Sequence, residues 1–591
     1  MAQQPPKFTR HVWSQLWRLS KPFFFGKTWG RAWMMLGGLI LLLLAVTGVG
    51  VLANQKNGDL FTALEKSNVP GYQAALKLYL ATFALSIPLA AFSRYVEERL
   101  ALSWRDFLAR TLMKRYFHNR AYFRLGSSEE IDNPDQRISE DARNFTITTL
   151  RYLIIIINSL IQVVAYSSVL WLITPRLVYV LTGYAIFGTI VAFLIGKRLI
   201  GLNYLQYERE ADFRYGLVRV RDNAESIAFY RGERRELYDL RARLGGVVGN
   251  MRVIIRRNLN LGFFTNGYNW ISLVLPVIIV APLYLDHAIR ADGKPVEFGD
   301  ITRAAGAFSV VLAAVSLVVT QFEVLSAFAA GVSRLGGLWD YLDEQDAEDD
   351  LDQEGENIDI SEEERTIILE NLTVKTPQGQ RVLLKDLTFR LPPGRSLLIM
   401  GESGSGKSSL LRTIAGLWSC GEGFIGRPPY RSMMFLPQRP YMIPGSLRNL
   451  LEYPGAKQKP DDEKLREVLK TVNLRNLAGR VDNDFERQAD WTNMLSLGEQ
   501  QRVSFARLLL RKPAIAFLDE STSALDEPNE ERVYNYLRQH RYTYVSVGHR
   551  STLLKYHDWL MKIGKDGAWE IQKVSELQEH PAAASQAGPG L

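Results

Sequence analysis

The sequence predicts a two-part chain: an all-α half of six transmembrane helices, followed by an α/β half built around a phosphate-binding loop. Three observations predict it. Residues 33–338 contain six apolar runs long enough to cross roughly 30 Å of hydrocarbon. The run Asp340–Glu364 then holds fourteen acidic residues and no basic one, the composition of a solvated linker. Beyond it, Gly401–Ser409 reads GESGSGKSS, with Gly401, Gly406, Lys407 and Ser408 at P-loop spacing. Length agrees, because 591 residues exceed the ~250 to 300 at which a single core stops growing.

Residues 1–32 carry Lys7, Arg10, Arg18, Lys21, Lys27 and Arg31 with no acidic residue, which places the N-terminus in the cytoplasm by the positive-inside bias. Phe8–Phe25 interleaves Trp and Phe with bases and predicts an amphipathic elbow on the membrane surface, in contact with lipid. It does not read as a cleavable signal. The spans are Trp33–Ala53, Ala74–Phe92, Tyr152–Ile173, Leu177–Ile195, Leu261–Leu285 and Ala304–Ala330. Ser93–Arg151 and Gly196–Asn260 are long and Arg-rich, so they are read as cytoplasmic loops; the short connections are read as external. A linker over 339–364, an ATPase over 365–577 and a disordered tail over 578–591 complete the division, with no internal repeat. The net charge of +8 is not gathered into a basic tract, so nucleic acid is not an expected partner. One cysteine, Cys420, excludes an intramolecular disulfide and suits a reducing compartment.

The phosphate loop has its expected context. Ser396–Met400 is an apolar run that reads as a buried strand, and Ser408–Leu417 reads as the helix after it. Backbone N–H groups of Gly401, Glu402, Ser403, Gly404, Ser405, Gly406 and Ser409 would wrap the phosphates of ATP. Lys407 adds charge, and Ser408 is placed to ligate Mg2+.

Leu495–Arg502, LSLGEQQR, resembles the signature of the ATP-binding cassette family, although Leu497 and Glu499 stand where Gly and Gln are more common. The resemblance implies that this loop grips ATP held by a second subunit, through Ser496, Gly498 and Glu499. A helix N-terminus suits that task, with unpaired N–H groups and about half a positive charge. The other family motifs follow in order. Pro437-Gln438 resembles the Q-loop, with Gln438 near Mg2+ and the attacking water. Ala514–Asp519 (AIAFLD) reads as a strand ending in Asp519, which would hold Mg2+ through water. Glu520 takes the general-base position, Ser523–Asp526 (SALD) that of the D-loop, and His549 that of the switch histidine. The family's adenine-stacking aromatic is replaced by Thr376, which leaves Phe424 or Arg427 as stacking candidates.

Longer blocks narrow the resemblance. Ser409–Trp418, Pro437–Pro454, Asp132–Asp141 (DNPDQRISED) and Asp212–Glu233 are similar to the D-type half-transporters and their bacterial YddA-type relatives with an SbmA/BacA-like membrane domain. DNPDQ predicts a turn and helix cap, with Asp135 accepting backbone N–H bonds. Arg137, Glu140, Asp141, Arg221 and Glu225 are expected to pair across long intracellular helices. The resemblance implies an exporter-type fold and a homodimer in the bacterial cytoplasmic (inner) membrane, its ATPase domain cytoplasmic. Alternating access would be driven by ATP.

Intramembrane polar residues mark a candidate cavity for the transported solute: Asn158 and Gln162 at i, i+4, Asn266 and Asn269 at i, i+3, and Gln321 and Glu323 in the last span. Interhelical hydrogen bonding explains such residues equally well. The favoured reading is uptake of a bulky polar solute such as a peptide or a cobalamin-like molecule. A lipid or fatty acyl(-CoA) transporter is the alternative, and an ATP-gated channel or receptor is a third. Intact Lys407, Asp519, Glu520 and His549 argue against the third.

Overall fold

The computed structural model describes residues 10–127, 131, 133–320, 322–348, 358–363, 365–376, 381–455 and 459–579. Two compact units, Met1–Leu351 and Asp352–Leu591, divide the chain.

The first unit is all α. Its helices are α1 (Arg10–Phe25), α2 (Trp29–Glu65), α3 (Val69–Phe117), α4 (Ala121–Ser127), α5 (Pro134–Gln136), α6 (Ala142–Ile173), α7 (Pro175–Asp222), α8 (Ala224–Tyr230), α9 (Glu233–Leu285), α10 (Phe298–Thr320) and α11 (Phe322–Glu348). Among the described residues six stretches, on α2, α3, α6, α7, α9 and α10, are long and apolar enough to cross a membrane. The 49 residues of α3 extend about 73 Å at 1.5 Å per residue, more than twice the hydrocarbon thickness. The segments read as loops are therefore largely helix, since α3, α7 and α9 continue beyond their apolar stretches. Surface ion pairs one helical turn apart accompany this continuation, Arg94 with Glu98 at 3.1 Å and Arg110 with Asp106 at 2.8 Å.

α7 and α9 pack antiparallel in a register fixed by hydrogen bonds. The Tyr184 and Tyr268 hydroxyls each donate to the other's backbone carbonyl, at 2.6 and 3.0 Å, and Asn250 Nδ2 donates to Gln206 Oε1 at 2.9 Å. α2 meets α10 where Gly58 and Gly299 leave room for the approach, and the Gly299 N–H donates to Thr62 Oγ1 at 3.0 Å. Beside that crossing, Arg303 pairs with Asp59 and, at 2.7 Å, with Asp300, whose side chain has no solvent exposure. A buried charge there is tolerable because two guanidinium groups, those of Arg303 and Arg290, surround it.

α1 lies as an amphipathic helix with Val12, Gln15, Leu19 and Phe23 buried, while Trp13 and Trp17 are exposed. Arg18 reaches Asp340 of α11 at 2.8 Å, and Arg115 of α3 pairs with Asp343 and lies 4.3 Å over the Trp339 ring. These contacts correct the linker expectation. The acidic run begins as the last turns of α11, and its end forms a strand over Asp359–Glu362.

Around DNPDQ the turn forms, but the cap does not. Asn133 is left-handed (φ 44°), Pro134 opens α5, and no side chain caps it. Asp132 lies outside the described residues. Arg137 Nη1 donates to the Arg334 carbonyl at 2.7 Å and Arg334 pairs with Asp141 at 3.3 Å, so this block is tied to α11. Glu140 accepts from Gln136 Nε2 at 3.2 Å. Among the described residues Arg221 pairs only with its neighbour Asp222, and Glu225 makes no ion pair. Among the described residues no ion pair joins the two sequence blocks, because the first is tied to Arg334 of α11 instead.

The second unit is α/β. It comprises β1 (Asp359–Glu362), β2 (Ile367–Lys375), β3 (Val382–Leu391), β4 (Ser396–Gly401), α12 (Lys407–Ile414), β5 (Gly421–Arg427), β6 (Met433–Leu436), β7 (Gly445–Ser446), α13 (Leu447–Glu452), α14 (Asp462–Thr471), β8 (Gln488–Ala489), α15 (Trp491–Met494), α16 (Leu497–Arg511), β9 (Ile515–Asp519), α17 (Glu527–Gln539), β10 (Thr543–Val547), β11 (Trp559–Ile563), β12 (Trp569–Lys573) and α18 (Val574–Glu579). One sheet runs β12-β11-β4-β10-β9-β6, parallel apart from β12; a second runs β1-β5-β2-β3. The inner strands are buried on both faces, hence the apolar runs of β4 and β9 and the complete burial of β10. At their carboxyl ends Val547 stands beside Asp519, and β4 runs on two residues past Ile399, the partner of Val547, to Gly401.

Candidate functional site

The phosphate loop leaves β4 at its C-terminal end and enters α12 at Lys407. Gly404 (φ 80°) and Gly406 (φ 98°) are left-handed, so a side chain at either position would strain the backbone that turns the N–H groups inward. Lys407 Nζ donates to the Gly401 and Glu402 carbonyls at 2.8 and 2.6 Å. Burial pulls the Lys407 pKa down, partly offset by Glu520 and Asp519. Burial likewise pushes the Asp519 carboxyl up, opposed by the hydrogen bond from Ser408. Charges held out of water in this way interact most strongly with phosphate and a divalent cation. Ser408 Oγ donates to Asp519 Oδ1 at 3.2 Å, which brings together two of the three residues expected to serve Mg2+, the third being Gln438. A hydroxyl and a carboxylate fit that ion, which keeps most of its waters and its substrate phosphates as ligands.

Three elements converge on Glu520. It follows β9 in a left-handed conformation (φ 47°), uncommon for a residue with a Cβ and frequent at functional sites. Gln438 Nε2 donates to Glu520 Oε2 at 2.8 Å, and His549 Nε2 lies 3.0 Å from Oε1. The catalytic candidates Glu520, Gln438 and His549 thus form one cluster beside Asp519.

The signature loop is organised differently from the reading of its sequence. Ser496 caps α16: its hydroxyl accepts from the Glu499 N–H at 3.3 Å, while Glu499 accepts from the Ser496 N–H at 3.0 Å, a reciprocal capping box. Arg480 also pairs with Glu499 at 2.5 Å and is the first cause of its lowered pKa. The Glu499 carboxylate is thereby turned to its own helix, which corrects its assignment to direct ATP contact. Gly498 packs on the D-loop, where a Cβ would meet the Ala524 carbonyl at 2.8 Å.

Gln501 went unassigned in the sequence, although it lies inside LSLGEQQR. Fully buried, it donates to the Gln438 carbonyl (3.3 Å) and Ser523 Oγ (3.2 Å) and accepts from the Ala524 N–H (3.0 Å). One side chain therefore links signature helix, Q-loop and D-loop. Arg507, further along α16, donates to the Leu450 and Tyr441 carbonyls, each at 2.8 Å, and burial pulls its pKa down to about 10. Arg550, beside His549, donates to the Ser523 carbonyl at 3.0 Å.

The adenine-stacking candidates are displaced. Phe424 and Arg427 lie on β5 opposite Glu370 and the start of β2, whereas Thr376 follows the other end of that strand. Thr376 is six residue steps from Glu370, about 20 Å at 3.3 Å each along an extended chain. Nearer Thr376 are Arg381, which donates to the Lys565 carbonyl at 3.2 Å, and Lys565, which pairs with Glu402 at 2.5 Å.

In the membrane unit, Asn158 and Gln162 are half-buried on α6, and Asn266 and Asn269 are exposed on α9. None makes a side-chain hydrogen bond with the described residues. The residue Gln321 and the side chain of Glu323 lie outside what the structure describes.

Comparison with known proteins finds one family match within each of the two units. Residues 19–285 match the family model "ABC transporter transmembrane region 2", and residues 384–523 match "ABC transporter". An uncharacterized ABC transporter ATP-binding protein of Synechocystis is 42% identical over 92% of this chain and 82% of its own length. ABC transporter D family member 2, chloroplastic, of Arabidopsis thaliana is 35% identical over 95% of this chain and 88% of its own length. The human lysosomal cobalamin transporter ABCD4 is 30% identical, covering 92% and 93%. A bacterial Atm1-family ABC exporter solved with ATP bound shares the fold at TM-score 0.69 and 18% identity, over 94% of this chain and 99% of that one. The chain therefore belongs to the ABC transporter family, an integral membrane protein of exporter-type fold in which a membrane domain is fused to an ATP-binding cassette whose ATPase is coupled to transport.

Proposed function

We propose that two copies form a homodimeric half-transporter that takes up a bulky polar solute, peptide or cobalamin-like, across a bacterial inner membrane with both cassettes in the cytoplasm. The observation that carries the polar cargo is the set Asn158, Gln162, Asn266 and Asn269, whose side chains have no hydrogen-bond partner among the described residues. Polar groups at membrane depth are retained where they line a wet path. The 30% identity to a protein named as a lysosomal cobalamin transporter supports the same size and polarity of cargo. The D-type sequence blocks support placement beside the SbmA/BacA-like membrane domains.

In this reading the backbone of Gly401–Gly406 and Lys407 hold the β- and γ-phosphates. Ser496 and Gly498 of the second copy close on the γ-phosphate from outside. Glu520 accepts a proton from the attacking water, Gln438 orients that water and His549 holds the carboxylate in place. Mg2+ held by Ser408 and, through water, by Asp519 and Gln438 would neutralise charge between the phosphates. A ligand that bridges two cassettes favours their closed arrangement through differential affinity, and hydrolysis removes the bridge.

The test is uptake of a labelled peptide, cobalamin and an acyl-CoA into proteoliposomes, comparing the native protein with Glu520→Gln. ATP-dependent accumulation of peptide or cobalamin, lost in the variant, is expected. Accumulation of acyl-CoA alone would overturn the polar-cargo reading.

A further inference from the structure

A cluster of cations on α7 and α9 has no role in ATP hydrolysis. Lys197 and Arg198 on α7 and Arg252, Arg256 and Arg257 on α9 gather around two adjoining cavities of about 380 and 400 Å³ that share Val253 and Arg257. The antiparallel register explains the meeting, because the pairs Tyr184–Tyr268 and Gln206–Asn250 bracket it. None of the five makes an ion pair with a described residue. The sequence supplies none locally: α7 has no acidic residue before Glu208, and α9 has none after Asp239. The cations sit at the boundary where both helices turn apolar. Directly beyond them the exposed surface is Ile190 and Leu194 on α7 and Leu259 and Phe263 on α9.

We propose that this cleft seats the headgroup of an anionic phospholipid from the surrounding bilayer, with its phosphodiester among Arg252, Arg256, Arg257, Lys197 and Arg198. The acyl chains then lie on the apolar surface next to it. Charge complementarity commits the site to an anion, since five uncompensated cations repel one another and gain from a phosphate. The adjoining apolar strip commits it to an anion with tails, because a soluble phosphate would leave that strip unused. A site of this kind is independent of which solute is transported.

The test is native mass spectrometry of the full chain extracted from vesicles of phosphatidylcholine mixed with phosphatidylglycerol. The native protein is expected to retain phosphatidylglycerol in preference, less so as salt rises. Each cation contributes about a fivefold gain in retention. Arg252→Gln/Arg256→Gln/Arg257→Gln should then retain it roughly a hundredfold less well. Arg252→Lys/Arg256→Lys/Arg257→Lys should keep most of the retention. Equal retention of phosphatidylcholine, unchanged retention in the glutamine variant, or displacement by soluble glycerol phosphate or acyl-CoA as effective as by phosphatidylglycerol would each overturn the proposal. Should the glutamine variant fail to fold, insensitivity of native retention to salt is by itself sufficient to reject it.

Discussion

Replacing Gln501 by leucine keeps the side-chain volume and removes all three of its hydrogen bonds. Gln501 has no solvent exposure, so no water can replace them. Each of the three bonds contributes about 1 kcal/mol net, for a total of about 3 kcal/mol. That energy holds the Q-loop carbonyl and the D-loop against the signature helix, so its loss falls on the arrangement in which Gln438 and Glu520 meet. If it is felt in the closed state, turnover drops roughly a hundredfold. The assay is ATP hydrolysis by the full chain in lipid nanodiscs, together with its melting temperature. Gln501→Glu should fall between, since its carboxylate still accepts from the Ala524 N–H but has lost both donors. Native turnover and native melting in Gln501→Leu would refute the linking role of this residue.

Other expectations concern single groups. Lys407→Ala should lower ATP hydrolysis by at least about a hundredfold, through loss of a preorganised charge at the phosphates; an unchanged rate would remove the phosphate site from this loop. Glu499→Ala should cost about 1 kcal/mol of stability through loss of the capping box while leaving ATP affinity near native. A tenfold weaker affinity without loss of stability would restore a direct phosphate contact. His557, buried between the Leu553 carbonyl and Ser546 Oγ, has its pKa pulled down to about 4, chiefly by burial. The folded form therefore favours the neutral ring, so this stability is complete above pH ~6.5 and is lost as pH falls from there through about 4. The loss is on the order of 3 kcal/mol. Unfolding midpoints across that range should fall more steeply for the native chain than for His557→Gln, and parallel slopes would contradict it.

Contiguous motifs were the legible part of the sequence. GESGSGKSS follows an apolar strand and opens a helix, so its residue types, spacing and context state the same backbone geometry at three levels. Apolar runs likewise showed where helices can cross a membrane but not where they end. Past Phe92 the helix continues on exposed, ion-paired turns, where hydropathy is blind. Acidic composition misled over Asp340–Glu348, because charge counting cannot see Arg18 and Arg115, which come from far away in sequence. Glu499 was drawn toward ATP by its place in a motif, whereas the spacing Ser496-x-x-Glu499 already spelled a capping box. Gln501 was unreadable for the opposite reason: its partners Gln438, Ser523 and Ala524 come together only when the sheet orders β6 beside β9.

In the proposed homodimer each ATP site is completed by two chains, Lys407 from one and Ser496 from the other. Lys407→Ala and Ser496→Ala should each be inactive as a pure protein. Co-expression with two different affinity tags, followed by isolation of the mixed dimer, pairs an intact phosphate loop with an intact signature at one of its two sites. ATP hydrolysis is expected to return in the mixed dimer and to be absent when one chain carries both substitutions and the other is native. Activity in the second dimer without activity in the first would show that each site is built within a single chain.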